Sequence, residues 1–140
     1  MRIGLLAKRT GCEVETIRYY EKEGLLAAPI RDGSGYRRYE GRHLEDLQFI
    51  RHCRSLGMRL AEIRILLNFR DQPHQDCEQV NRLLDAQIIR VQEQMLAMQT
   101  LLEQLNLLRA ECVVRQQSVE CGIMKTLNLA AKGEKCPCHE

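Results

Sequence analysis

Apolar residues recur at helical spacing along most of the chain, and the interruptions divide it into segments. Leu5, Leu6 and Ala7 mark a short helix over about residues 4–10. Thr10-Gly11-Cys12 interrupts it. A second pattern runs from about Val14 to Glu23, with Val14, Ile17 and Tyr20 or Glu21 on its apolar side. Gly24 stands where a helix takes a left-handed residue beyond its last turn. Two short helices joined by a tight turn containing glycine predict a helix-turn-helix. Arg31-Asp32-Gly33-Ser34-Gly35 then leads into Tyr36-Arg37-Arg38-Tyr39, which predicts a small hairpin, or wing. Helical spacing resumes over residues 42–56 through Leu44, Leu47, Ile50 and Cys53, and again over 59–69 through Leu60, Ile63, Leu66 and Leu67. Gln72-Pro73-His74 breaks the chain after that.

The strongest pattern follows. Leu84, Ile88, Val91, Met95, Met98, Leu102 and Leu105 keep an unbroken four-three spacing, and no Gly or Pro occurs from Cys77 to Cys121. A helix over about residues 79–111 would span roughly 50 Å at about 1.5 Å per residue. One narrow apolar seam of this length predicts a two-chain coiled coil. The plain alternative is a helix packed inside its own domain, and the residues before it have their own small core to fill. The expected organisation is mainly α. A winged helix-turn-helix domain occupies 1–70, a hinge 71–78, a dimerisation helix 79–111, and a loop and tail 112–140. Ile123, Met124, Leu127 and Leu129 could form a short terminal helix there.

Charge sharpens this division. The whole chain has a formal net charge of only +2. Residues 1–70 hold 14 Lys and Arg against 9 Asp and Glu, a balance of +5, whereas residues 71–140 hold 7 against 10, a balance of −3. Arg dominates the basic residues of the first half, and its planar fork suits phosphate and guanine edges. The exposed face of the second helix offers Glu15, Thr16, Arg18, Tyr19 and Lys22, a mix suited to bases and phosphates. In the wing, Tyr and Arg can lie along a sugar-phosphate backbone. The first half therefore reads as a double-stranded DNA interface.

The chain has 140 residues and seven cysteines. No apolar run is long enough for a transmembrane helix, so no membrane role is expected. The N-terminus lacks a secretion signal, which points to the cytoplasm. Thiols stay reduced there, so metal or redox chemistry explains seven cysteines better than a disulfide scaffold. Cys77 precedes the long helix, Cys112 ends it and Cys121 follows after eight residues. The ends of a straight helix this long cannot share an ion within one chain. In an antiparallel dimer the start of one helix lies beside the end of the other, so Cys77 would meet the partner's Cys112 and Cys121, giving two equivalent three-sulfur sites. The intervening VVRQQSVE contains no His, and three thiolates favour soft or borderline-soft ions. Glu111 or Glu120 could add a carboxylate, and Arg115 could offset the thiolate charge. Cys136, Cys138 and His139 form a compact C-terminal cluster, a possible second metal site or a loading arm for the first. Cys12 and Cys53 read as structural, and His43, His52 and His74 as surface residues. A thiol redox sensor, suggested by Cys136-Pro137-Cys138, is the alternative from another class. It lacks a C-x-x-C and a nucleophile–His arrangement. A DNA-binding coiled coil that merely stores metal is a third.

IGLLAKRTG, VETIRYYEKEGLL, GYRRY and FIRHCRSLGM, in order and without a large gap, resemble the MerR family of bacterial metal-responsive transcription regulators. The resemblance covers about residues 1–125. It implies no enzyme activity. It implies a winged-helix homodimer joined by an antiparallel coiled coil, bound to a palindromic promoter, which represses without ligand. Ligand binding then distorts the DNA so that RNA polymerase can engage. By that likeness Thr16, Arg18 and Tyr19 would enter the major groove, and Tyr36 and Arg37 would touch the backbone from the wing. Cys77 resembles the divalent-ion sensors; the copper(I) branch has Ser there. The Cys112–Cys121 spacing resembles the mercury and lead sensors, but the mercury branch has Pro where this chain has Gly122. The zinc branch carries more Cys and a His in this loop. FIRHCRSL, QDCEQVN and the Cys-Gly-Ile that begins at Cys121 are most similar to the lead and cadmium regulators, and the Cys-Pro-Cys-His tail is closer to the lead regulators than to the His-rich tail of cadmium regulators. The implied ligand is lead(II) or cadmium(II), with mercury(II) and zinc(II) as lesser ions, held by Cys77, Cys112 and Cys121.

Overall fold

The computed structural model describes residues 1–133 except 113 and 116. The chain divides into two units, Met1–Gln87 and Ile88–Glu140. The first unit is built around two short helices, α1 (Ile3–Thr10) and α2 (Val14–Lys22), followed by a two-stranded hairpin. Glycine ends α1 because the turn needs a left-handed residue: Gly11 has φ 70° and its amide donates to the Ala7 carbonyl at 2.8 Å. A Cβ at Gly11 would also lie 2.3 Å from the Arg51 guanidinium, which donates to the Thr10 carbonyl. A left-handed alanine costs about 1–2 kcal/mol, and Arg51 would have to release its carbonyl. Gly11→Ala should therefore lower the stability of this unit by about 1–2 kcal/mol, read from the midpoint of urea unfolding. An unchanged midpoint would show that this turn is not fixed as described.

On α2, Ile17 and Tyr20 lie one turn apart and both are buried. Their spacing is what packs the helix onto Leu6 of α1 and turns Arg18 and Tyr19 outward. Gly24, at φ 73°, redirects the chain so that Leu25 and Leu26 enter the core. Strands β1 (Ile30–Arg31) and β2 (Arg37–Arg38) pair antiparallel, Ile30 opposite Arg38 and Arg31 opposite Arg37. The turn between them is organised by Asp32, whose carboxylate accepts from the amides of Ser34 at 2.9 Å and Tyr36 at 3.0 Å.

Helix α3 (Gly41–Ser55) buries His43, Leu47, Ile50 and Cys53, and α4 (Leu60–Arg70) buries Ile63 and Leu67. His43 corrects the expectation of a surface residue, for it is fully buried while Leu44 is only half-buried. Its position in the first turn explains this: Nδ1 accepts from the Glu40 amide at 2.9 Å, capping the helix, and the ring meets Tyr39 edge-on at 5.3 Å. Tyr39 also departs from a wholly wing-like segment, since it is buried in the core whereas Tyr36 is exposed. Residues 71–77 separate α4 from the long helix α5 (Glu78–Ala110). The first turns of α5 belong to the same unit. Leu83 joins its core, and Gln87 donates to the Leu56 carbonyl at 2.7 Å.

The second unit holds the remainder of α5 and helix α6 (Gly122–Ala131). The expected terminal helix on Ile123, Met124, Leu127 and Leu129 is present as α6. Apolar residues along α5 stay exposed in the single chain: Ile88, Val91, Met95, Met98, Leu102 and Leu105 all face outward, Met95 and Met98 at 66% and 67% exposure. No described helix is long and apolar enough to cross a membrane.

Candidate functional site

The outward face of α2 and the hairpin beside it form one basic surface. Arg18 and Tyr19 project from α2 opposite its buried stripe, with Tyr19 49% exposed, while Thr16 is half-buried. Thr16 and Tyr19 line a depression with Glu15, Tyr20, Arg54 and Leu60. A second cleft runs between α2 and the hairpin, lined by Arg18, Glu21, Lys22, Arg31 and Arg37. Four cationic side chains around one open groove, against a single carboxylate, attract a phosphate backbone. Tyr36, on the tip side of the wing, is exposed, and the Arg2 guanidinium lies 4.6 Å above its ring.

The wing is tied to α2 through Glu21, whose role the helical periodicity did not reveal. Its carboxylate accepts from the Tyr39 hydroxyl and lies 3.6 Å from Arg37. Burial, then the hydrogen bond and negative charge of Glu21, push Tyr39 up to about 12. The phenol therefore keeps its proton and stays a donor at any physiological pH. Arg37 thus faces both the groove and Glu21. At the hairpin turn, desolvation raises the Asp32 carboxyl, but the Ser34 and Tyr36 amides and Arg38 outweigh it and hold it below the usual carboxylate range. These ties fix the wing relative to α2, which is what a rigid two-point grip on a duplex requires.

The cysteines are distributed between the units. Cys77 lies exposed in the first, with the Asn81 amide 3.8 Å from its sulfur. Cys112 and Cys121 lie together in the second, both half-buried and hydrogen-bonded to each other. Cys121 is the N-cap of α6. The Met124 amide, against some desolvation, holds its thiol below the ordinary range, with Cys112, the Ile123 amide and Arg109 adding to the effect. The Cys112 thiol is raised, first by its hydrogen bond to Cys121, then by desolvation and the neighbouring negative charge, with Arg109 opposing. Its sulfur also lies 3.3 Å from the Val114 carbonyl. The nearby cation is Arg109, which donates to the Cys112 carbonyl at 2.6 Å, and not Arg115 as the loop sequence suggested. Among the described residues no group of three Cys, His, Asp or Glu assembles, so neither Glu111 nor Glu120 completes the pair. Cys136, Cys138 and His139 lie outside the described residues. A soft dithiol, one member already inclined to ionise, fits a thiophilic ion.

Gly122, which the resemblance marked only as a departure from the mercury branch, has a structural role that neither apolar spacing nor charge indicated. A Cβ there would stand 2.3 Å from the Glu111 carbonyl oxygen, so the start of α6 and the end of α5 meet only because position 122 has no side chain.

Comparison with known proteins shows the family of the chain. The profile of MerR HTH family regulatory proteins matches residues 1–69, and that of MerR, DNA binding, matches residues 44–108. The transcriptional regulator ZntR of Escherichia coli is 36% identical over 139 residues, 98% of this chain and 99% of that one. The crystal structure of the transcription regulator PbrR691 from Ralstonia metallidurans in complex with lead(II) is similar at a TM-score of 0.79 and 46% identity, covering 91% of this chain and 98% of that one. The regulator MerR from Bacillus megaterium in complex with mercury(II) is similar at a TM-score of 0.68 and 31% identity, covering 91% and 99%. These relatives are regulators of transcription and not enzymes. Helix-turn-helix, wing, long helix and paired thiols together place the chain in the MerR family of metal-responsive transcription regulators.

Proposed function

We propose that the chain works as a homodimer on a palindromic promoter, repressing without metal and activating when lead(II), or cadmium(II), binds Cys112 and Cys121 together with Cys77 of the partner subunit. The observation that carries this is the adjacent thiol pair at the end of α5, with one sulfur held at a helix N-terminus that favours the thiolate. The exposed seam on α5 supplies the surface for the second copy. Antiparallel pairing of two such helices sets the start of one, where Cys77 lies, beside the end of the other. The lead(II) complex of the 46% identical relative supports the choice of ion. Three thiolates satisfy lead(II) and leave its lone pair on the open side.

On DNA, α2 would present Thr16, Arg18 and Tyr19 to the major groove while Tyr36 and Arg37 grip the backbone. Bending or untwisting the duplex costs energy, which extra contacts offset. The ion shifts the balance only by binding the activating state more tightly than the repressing one. RNA polymerase then engages both promoter elements, and the tail cluster Cys136, Cys138 and His139 would deliver ions to the main site. A mercury(II)-responsive reading is favoured by one observation, the mercury(II) complex of the 31% identical relative.

Chemical footprinting and in vitro transcription on the promoter, with lead(II), cadmium(II), mercury(II) and zinc(II) in competition, test the proposal. The expected result is occupancy of the promoter with and without metal, new cleavage at the operator centre with metal, and transcripts only with metal, lead(II) most effective. Release of the chain from DNA by lead(II), with no transcript, would overturn it.

A further inference from the structure

Gly122 opens α6, and its backbone is not among those with positive φ. Nothing in its conformation calls for glycine, and glycine weakens a helix relative to alanine. Among the described residues the feature that explains it is space. The Glu111 carbonyl oxygen stands 2.3 Å, and its carbon 3.2 Å, from where a Cβ would be. Both are backbone atoms, which cannot swing aside as the end of a long side chain can. Glu111 directly precedes Cys112 and Gly122 directly follows Cys121. This backbone contact therefore sits one residue from each of the two thiols.

We infer that Gly122 is a positioning residue that sets the spacing of the Cys112 and Cys121 sulfurs, and through it the affinity and ranking of the thiophilic ions they take. The inference rests on the metal site proposed above. A side chain at 122 would wedge the first turn of α6 from the end of α5 and draw Cys121 from Cys112. The helix itself would remain, because alanine is the better helix former. An ion that must be gripped by both sulfurs at once loses most, and one content with a single thiolate and other ligands loses least.

The test uses the full chain with Cys136→Ser and Cys138→Ser, so that the tail supplies no second dithiol. Gly122→Ala is compared with this parent in two ways. One is titration with lead(II) and cadmium(II), followed by thiolate-to-metal absorption. The other is the rate at which phenylarsine oxide, which bridges two neighbouring thiols, blocks the metal-free chain. The expected result is a loss of about 10- to 100-fold in lead(II) affinity, the range for groups that orient metal ligands, with slower bridging by the arsenical. Glu111→Ala, which keeps the carbonyl, should leave both readings as in the parent, and promoter binding by the metal-free Gly122→Ala chain reports that the DNA-binding unit is intact. Parent-like lead(II) affinity in Gly122→Ala overturns the inference if Cys112→Ser abolishes binding in the same assay. If Cys112→Ser also binds lead(II) normally, the metal site itself is wrong and the inference falls with it. The arsenical result separates the two, because it measures the thiol pair without any metal.

Discussion

Met95→Asp will leave the chain monomeric and strip it from its promoter. Met95 lies midway along the seam of α5 and is 66% exposed in the single chain, so the cost within one chain is small. In a dimer paired along this seam the same position would be buried. An unpaired charge buried in an interface costs about 3–5 kcal/mol, and two-fold symmetry places one on each helix. The dimerisation constant should then fall by at least about 10⁴-fold. Promoter affinity should collapse with it, because each monomer reads only one half-site. Thr100→Asp is the control, since position 100 is on the opposite face of the heptad and should leave the dimer whole. Sedimentation equilibrium and gel shift at fixed salt report both effects. A dimeric Met95→Asp chain would place the partner surface elsewhere.

Cys112→Ser will abolish the metal response while leaving promoter binding intact. Structural metal sites supply about 10–16 kcal/mol through four ligands, or about 3 kcal/mol for each, so losing one of three should weaken lead(II) binding by at least about 100-fold. The proposed DNA-reading face lies in the unit Met1–Gln87, whereas Cys112 lies in Ile88–Glu140, and the proposed repression should persist. The pH dependence has a definite sign. Cys121 is held toward the thiolate but Cys112 is raised, so at neutral pH the ion must displace the Cys112 proton. Lead(II) affinity in the parent should therefore rise with pH until Cys112 is ionised. That slope should flatten in Cys112→Ser. In vitro transcription and metal titration between pH 6 and 9, on the order of one unit apart, measure both. Full activation by the serine variant would remove Cys112 from the site.

Punctuation by glycine and proline made the DNA-binding unit legible. Gly11, Gly24 and Gly57 each fall at the end of a helical pattern and each takes positive φ, so the limits of α1, α2 and α3 follow from local chemistry alone. The seam of α5 was equally plain, because seven residues in register are hard to produce by chance. What periodicity missed was tertiary. His43 is polar and next to Leu44, and only its cap on Glu40 and its contact with Tyr39 carry it into the core. Glu21 looked like a position at the edge of an apolar stripe. Its value lies in Tyr39 and Arg37, which are distant in sequence. In the segment proposed to bind metal the cysteine spacing marked Cys112 and Cys121, but the close approach of backbone beside them depends on a side chain that is absent. An empty Cβ at Gly122 leaves no trace in hydrophobic pattern or charge. The same holds for Arg109, one helical turn before Cys112, which a search of the loop between the cysteines could not find.

Under the proposed function each metal site is shared between two chains. This sharing is tested most directly by a mixed dimer of one Cys77→Ser chain and one Cys112→Ser chain, both also lacking Cys136 and Cys138. Neither homodimer can assemble three ligands. In the mixed dimer the intact Cys77 of one chain would face the intact Cys112 and Cys121 of the other, so a single lead(II) ion is expected, detected by thiolate-to-lead absorption and metal analysis. A mixed dimer that holds no lead(II), or homodimers that hold it as well as the parent, would contradict this sharing.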